Sequence, residues 1–270
     1  MRISVDWHST YRFGAPVRLL NMELRVVPAP RDTQQLVEHR LEIDPEGPVS
    51  ERRRADVFGN THHRVDLLGP LERVRISLRA TVEASEAPPR EPTLTPLLRH
   101  LALAPTARTP RDPALEAFAR EAGDPSESLA YAGRLSALIA ERFEYELGHT
   151  SVEDTAVDLL RQGRGVCQDF AHLMLAVLRA RGIPALYVSG YLAPPEGSAE
   201  GDASHAWVRV HAGGAWHGFD PANRSPEDAR HVVTALGRDY DDVAPVRGSY
   251  RGLAEESWSA VVRVEMHGQQ

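Results

Sequence analysis

The chain has 270 residues, 42% hydrophobic and 26% charged, an ordinary globular composition long enough for one large domain or two modest ones. A net charge of −7 argues against a nucleic-acid partner, and the single cysteine excludes disulfide stapling within the chain. No apolar run approaches the roughly 18–20 residues of a membrane span, and no secretory leader is read at the start, so a cytoplasmic protein without a membrane partner is expected.

Residues 1–85 read as strands. Apolar or aromatic side chains at 3, 5, 7, 11 and 13 follow a near-alternation of period two, and 20–27, 37–43, 61–67 and 74–82 look similar. Pro28-Ala29-Pro30, Asp44-Pro45-Glu46-Gly47-Pro48 and Gly59-Asn60 supply turns, which predicts an N-terminal β-sandwich domain. His62-His63 reads as two exposed histidines, because strand neighbours face opposite ways and do not share an ion. Residues 86–113 hold seven prolines and read as a proline-rich linker.

From 114 to 270 the pattern is helices first and strands afterwards, which predicts an α+β catalytic domain. Asp112-Pro113 suits one helix start, Ser126 a cap for a second, and 153–161 a third. Cys167 opens a further helix, in which Phe170, Leu173, Met174, Val177 and Leu178 form one buried stripe. Gly182 and Pro184 end it. Strand-like pieces follow at 185–192, 206–211, 215–219 and 258–266. The run 193–204, rich in Gly, Pro, Ala and Ser, reads as a mobile flap.

Cys167 is the candidate nucleophile. At a helix start, unpaired N–H groups and the helix dipole favour a thiolate, and the residue's own N–H is free to stabilise an oxyanion. A thiol nucleophile needs a base. His172 lies five residues on, about 500° around the helix and so roughly 140° from the sulfur, and reads as structural. His205 stands where the loop meets a strand. Asp220 ends the next strand, and Ala212-Gly213-Gly214 between them is a hairpin turn signal. An antiparallel hairpin brings His205 and Asp220 together, so that the carboxylate orients the imidazole.

These residues carry a resemblance. Gly165-Val166-Cys167-Gln168-Asp169-Phe170-Ala171-His172, Gly182-Ile183-Pro184-Ala185, Ser204-His205-Ala206-Trp207 and Asp220-Pro221 resemble the transglutaminase-like superfamily, a papain-like group with a Cys-His-Asp triad in that chain order. Gly237 to Val243 is similar to its bacterial branch. Pro28, Asp56 and Phe58-Gly59-Asn60 resemble the β-rich region that precedes these bacterial domains. The resemblance implies Cys167 as nucleophile, His205 as base and Asp220 as orienting carboxylate. Asn223 and Arg224 resemble the family's Asp-Pro-Thr-Asn run, with Ala222 replacing its threonine. Tyr145, Trp207 and Gln168 are candidates for the remaining oxyanion donor.

Asp239 to Asp242 carries three acids in four residues. It lacks the spaced ligands and glycine of a calcium loop and reads as a turn or salt-bridged segment. No HExxH, CxxC, phosphate-binding glycine loop or GxSxG occurs, and no metal or cofactor is expected. The expected function is thiol-dependent acyl chemistry on peptide or carboxamide bonds of a peptide or protein substrate. Hydrolysis by a cysteine protease or amidase leads, ahead of amine transfer by a true transglutaminase and of a non-enzymatic peptide-binding module. All 31 basic residues are arginine, so the chain offers no lysine ε-amine as an acyl acceptor.

Overall fold

The computed structural model describes residues 1–45, 52–195 and 204–267. Most of the expected turn at 44–48 and of the expected flap at 193–204 lies outside the described residues. Four strands come first: β1 (Arg2–Leu24), β2 (Gln34–Asp44), β3 (Arg52–Ala55) and β4 (Thr61–Ala84). They are longer than the alternation suggested, because 3–13 and 20–24 are one strand, as are 61–67 and 74–82. β1 and β4 pair antiparallel from Arg2↔Glu83 to Leu24↔His63, with register shifts between Arg12 and Leu19 that interrupt the ladder without ending either strand. Gly69 permits the close approach there, since a Cβ would stand 2.0 Å from the Val17 carbonyl oxygen.

Helices α1 (Pro96–Leu103), α2 (Pro113–Glu121) and α3 (Ser128–Arg142) follow, then β5 (Glu144–Tyr145), α4 (Ala156–Gln162), β6 (Arg164–Gly165) and α5 (Cys167–Ala180). α1 falls inside the stretch expected to be linker. The Thr95 hydroxyl accepts from the Leu98 N–H, and Pro96 sits in the first turn, where no intrahelical N–H bond is lost. The proline count hid a capped helix because one proline stands where a helix tolerates it.

Strands β7 (Ala185–Leu192), β8 (Ser204–Ala212), β9 (Ala215–Asp220), β10 (Ser225–Pro226) and β11 (His231–Gly237) form an antiparallel sheet in the order β10-β9-β8-β7-β11. Alternation along β7 splits its side chains. Ala185 and Tyr187 join the core with α5, whereas Leu186 and Val188 join Leu98 and Ala102 of α1. Nearly every residue of α5 is buried, because the sheet covers one side and α2, α3 and α4 cover the other.

After α6 (Tyr240–Val243) the chain leaves this unit. β12 (Val246–Arg251) and β13 (Glu256–His267) both pair with β1, completing a six-stranded N-terminal sheet. The end of the range 114–270 therefore belongs to the front sheet. Alternation reveals that a strand forms at 258–266 but not which strand it pairs with.

The two units are joined along β11, an edge strand. Gln34 Nε2 donates to the Val233 carbonyl at 2.8 Å, and its Oε1 accepts from the Val233 N–H at 2.8 Å. Asn60 repeats this at Leu236, donating at 2.6 Å and accepting at 2.8 Å. Two side-chain amides, with the Ala29 N–H that also donates to the Val233 carbonyl at 2.9 Å, thus pair backbone groups of this edge. Asn60 is itself held by Asp56, which also accepts from His62. His62-His63 is accordingly not an exposed pair: His62 is partly buried beside Asp56, and His63 is buried.

Candidate active site

Gly163 ends α4 with φ of 76°, and the chain crosses β6 before α5 begins at Cys167. Asp169 Oδ2 accepts from the Val166 N–H at 2.8 Å and from Thr150 Oγ1 at 2.7 Å, closing the helix start. Only glycine fits at 165, because a Cβ would lie 2.7 Å from that oxygen. Burial raises the Asp169 pKa, which the two donors oppose. Cys167, partly buried, occupies the first helical position, where its N–H has no intrahelical acceptor.

The β8–β9 hairpin forms as expected. Gly213 and Gly214, with φ of 60° and 85°, make a two-residue turn between the paired Ala212 and Ala215. It sets His205 Nε2 2.7 Å from Asp220 Oδ2. Nε2 is thereby committed, and Nδ1 is the ring nitrogen left to exchange a proton. Burial alone would lower the His205 pKa. Asp220, which accepts its Nε2–H, and the nearby Cys167 side chain favour the charged imidazole and push it up to about 10. Trp207 stacks on the imidazole, with centroids 6.1 Å apart and planes at 21°.

Asp220 is fully buried, at 0% exposure, yet each of its oxygens is satisfied. Oδ1 accepts from the backbone N–H groups of Ala222 and Asn223 at 3.0 and 3.1 Å. Oδ2 accepts from His205, from Asn223 Nδ2 at 2.7 Å and from His231 Nε2 at 3.3 Å. Burial opposes ionisation, but the donors from His205, His231 and Asn223 hold the carboxyl well below the usual carboxylate range. The Ala222 N–H contact needs no side chain, so the alanine in place of threonine leaves this turn intact.

His231 and Asp228 were not singled out by the sequence. His231 Nδ1 lies 2.9 Å from Asp228 Oδ1 and 3.1 Å from the Asp228 N–H. The imidazole is wedged between two carboxylates, which raise its pKa against the lowering effect of burial. A chain of alternating carboxylate and imidazole therefore runs Asp228–His231–Asp220–His205. Local spacing could not reveal it, because β11 reaches Asp220 only through the tertiary strand order.

His172 takes no part. It is fully buried, and its Nε2 accepts from the Tyr240 N–H at 3.2 Å. Burial, with Arg108 and Arg179 nearby, lowers its pKa to about 3. Among the oxyanion candidates, the Trp207 indole is closed in the core, Gln168 Nε2 donates to the Val152 carbonyl at 3.4 Å, and Tyr145 is exposed on β5. Asp239 to Asp242 is a salt-bridged turn: Asp239 caps α6, Asp241 pairs with Arg108 and Asp242 with Arg238. The donor atoms of His205, Asp220 and His231 lie within 4.8 Å of one another, a spacing that suits a metal ion. Both imidazoles already aim Nε2 at one carboxylate oxygen, so protons account for the arrangement. Among the described residues no helix is long and apolar enough to cross a membrane.

Cys167 at the start of α5 and the His205–Asp220 pair on the sheet thus belong to the unit behind the β-rich front. Residues 116–221 match the transglutaminase-like superfamily and residues 3–83 the bacterial transglutaminase-like N-terminal region. An uncharacterized protein of Mycobacterium leprae is 32% identical across 95% of this chain and 96% of its own length. One from Mycobacterium tuberculosis is 35% identical across 95% of this chain and 90% of its own. The chain belongs to the transglutaminase-like superfamily. Its fold also resembles the crystal structure described as "a Putative Cysteine Protease from Cytophaga hutchinsonii", with a TM-score of 0.81 and 22% identity over 100% of this chain and 92% of that one.

Proposed function

We propose that the protein is a cysteine hydrolase that cleaves peptide or carboxamide bonds through an acyl-enzyme. The observation that carries this reading is His205 held by Asp220 through Nε2 at 2.7 Å, with the Cys167 side chain among the groups that favour its charged form. The Cys167 thiol gives its proton to His205 and the sulfur attacks the carbonyl carbon, forming the S–C bond as the carbonyl π pair moves to oxygen; when that pair returns, the C–N bond breaks and its electrons go to nitrogen. The proton on His205 Nδ1 goes to that nitrogen, and the amine leaves. Water then attacks the thioester while His205 takes its proton, the S–C bond breaks to release the acid, and His205 returns the proton to sulfur. The Cys167 N–H at the helix start is an oxyanion donor. Asp220 holds the imidazole tautomer, with Asn223 and His231 holding Asp220.

Hydrolysis and amine transfer share the acyl-enzyme and differ only in the acceptor. The fold shared with the Cytophaga hutchinsonii protein, described as a cysteine protease candidate, favours water. Peptide amides incubated with and without a primary amine decide the matter. Free acid as the major product in both supports hydrolysis. Amine adducts replacing the acid would make the protein an acyltransferase. No turnover, with iodoacetamide alkylating Cys167 no faster than a free thiol, would make it a binding module. Self-cross-linking through side-chain isopeptide bonds is not expected from a chain without lysine.

A further inference from the structure

A cavity of about 510 Å³ lies on one face of the front sheet and reaches Ser204, the residue before His205. That volume falls within the roughly 300–1,000 Å³ usual for small-ligand sites. Its lining recurs with period two along three strands, which places it on a single sheet face: Trp7 and Tyr11 on β1, Val246 and Tyr250 on β12, Trp258 and Ala260 on β13. Val152, Ser204 and Tyr240 close it from the catalytic side. Ser204 directly precedes His205. The Val152 carbonyl accepts from Gln168, which directly follows Cys167. The cavity therefore touches the residue before His205 and the residue that holds the one after Cys167.

Its chemistry is one-sided. Two of the four tryptophans and three of the seven tyrosines line it. Trp258 stands at 66% exposure on β13, a large apolar surface left in water. Among the described residues lining the cavity, Glu256 is the only charged one. Such walls favour an aromatic side chain and disfavour an anionic one.

We propose that this cavity takes a bulky apolar, above all aromatic, side chain of the acyl-donor peptide, so that the front sheet selects the substrate. This selection rests on the acyl chemistry proposed above, but occupancy of the cavity is readable without it. The test uses the full chain carrying Cys167→Ala and capped tripeptides with Phe, Leu, Ala or Asp at the central position. Binding is followed by calorimetry and tryptophan fluorescence. Phe is expected to bind at least ~10-fold tighter than Ala, because one missing methylene in an apolar pocket already costs about 10–200-fold. Asp should bind worst. Adding Trp258→Ala or Ala260→Trp, both at exposed positions, should remove most of the preference for Phe. In chains that retain Cys167, the same two substitutions should leave the rate of iodoacetamide alkylation at Cys167 unchanged. Equal binding of Phe and Ala, binding of none of the four peptides, or a Phe preference that survives both substitutions would overturn the assignment. A Phe peptide that binds here yet never acylates the wild-type protein would support the cavity and overturn the hydrolase reading instead.

Discussion

Replacing Asp220 by asparagine tests how the site is held. The carboxylate accepts five hydrogen bonds, two on Oδ1 from backbone N–H groups and three on Oδ2 from His205, His231 and Asn223. An amide offers one oxygen and one NH2. If the oxygen keeps the backbone pair, the NH2 faces three donors. Asn223 can turn its own amide, and each imidazole can shift its proton to the other nitrogen. For His205 that shift puts the proton on Nδ1, so that nitrogen can no longer receive the thiol proton. The expected loss of rate is on the order of 10⁴-fold, the size that loss of a triad carboxylate has elsewhere. Stability should fall far less. One donor left without an acceptor costs about 1–3 kcal/mol, or roughly 2–12 °C in melting temperature for a chain of this size. Acylation measured in single turnovers at pH 7, beside a thermal melt followed by circular dichroism, separates the two effects. A folded Asp220→Asn protein acylating within about tenfold of wild type would refute the orienting role.

Three further outcomes are expected. His231→Asn should keep the fold, lower the acylation rate and move its pH profile, since Asp220 loses a donor; a profile superimposable on wild type would leave His231 a packing residue. The His205 pKa is raised in the folded chain, so its stabilising contribution is complete below the unfolded value of about 6.5 and is lost as pH rises through about 10. Urea midpoints of wild type should therefore fall between pH 6.5 and 10 more steeply than those of His205→Gln; parallel slopes would contradict this. Glu227→Gln removes the partner of Arg209, a guanidinium at 0% exposure, and should cost about 3–5 kcal/mol in urea unfolding, whereas a change under 1 kcal/mol would show the pair to be screened.

The local parts of the site were legible in the sequence, and the remote parts were not. Cys167 is marked by the glycines before its helix and the apolar stripe within it. His205 and Asp220 are marked by the Gly-Gly turn, because a hairpin fixes its own register. His231 and Asp228 carry no such mark: β11 lies beside β7, three strands from β9, and only the folded sheet brings it to Asp220. The same reason hid the return of β12 and β13 to β1. Alternation names the buried face of a strand but not its neighbour, and here the neighbour is more than 200 residues away. Asn60 reads as a turn residue and Gln34 lies outside the strands expected from the sequence, yet their amides hold β11, the strand that carries His231.

The most direct measurement is the mass of the acyl-enzyme. An activated peptide ester is mixed with the full chain, quenched in acid within the first turnover, and the protein is weighed intact and after digestion. One acyl group per chain is expected, on the peptide containing Cys167, forming in wild type and His172→Ala and absent in Cys167→Ala and His205→Ala. An acyl group on any other residue, or one that forms equally well without His205, would contradict the account.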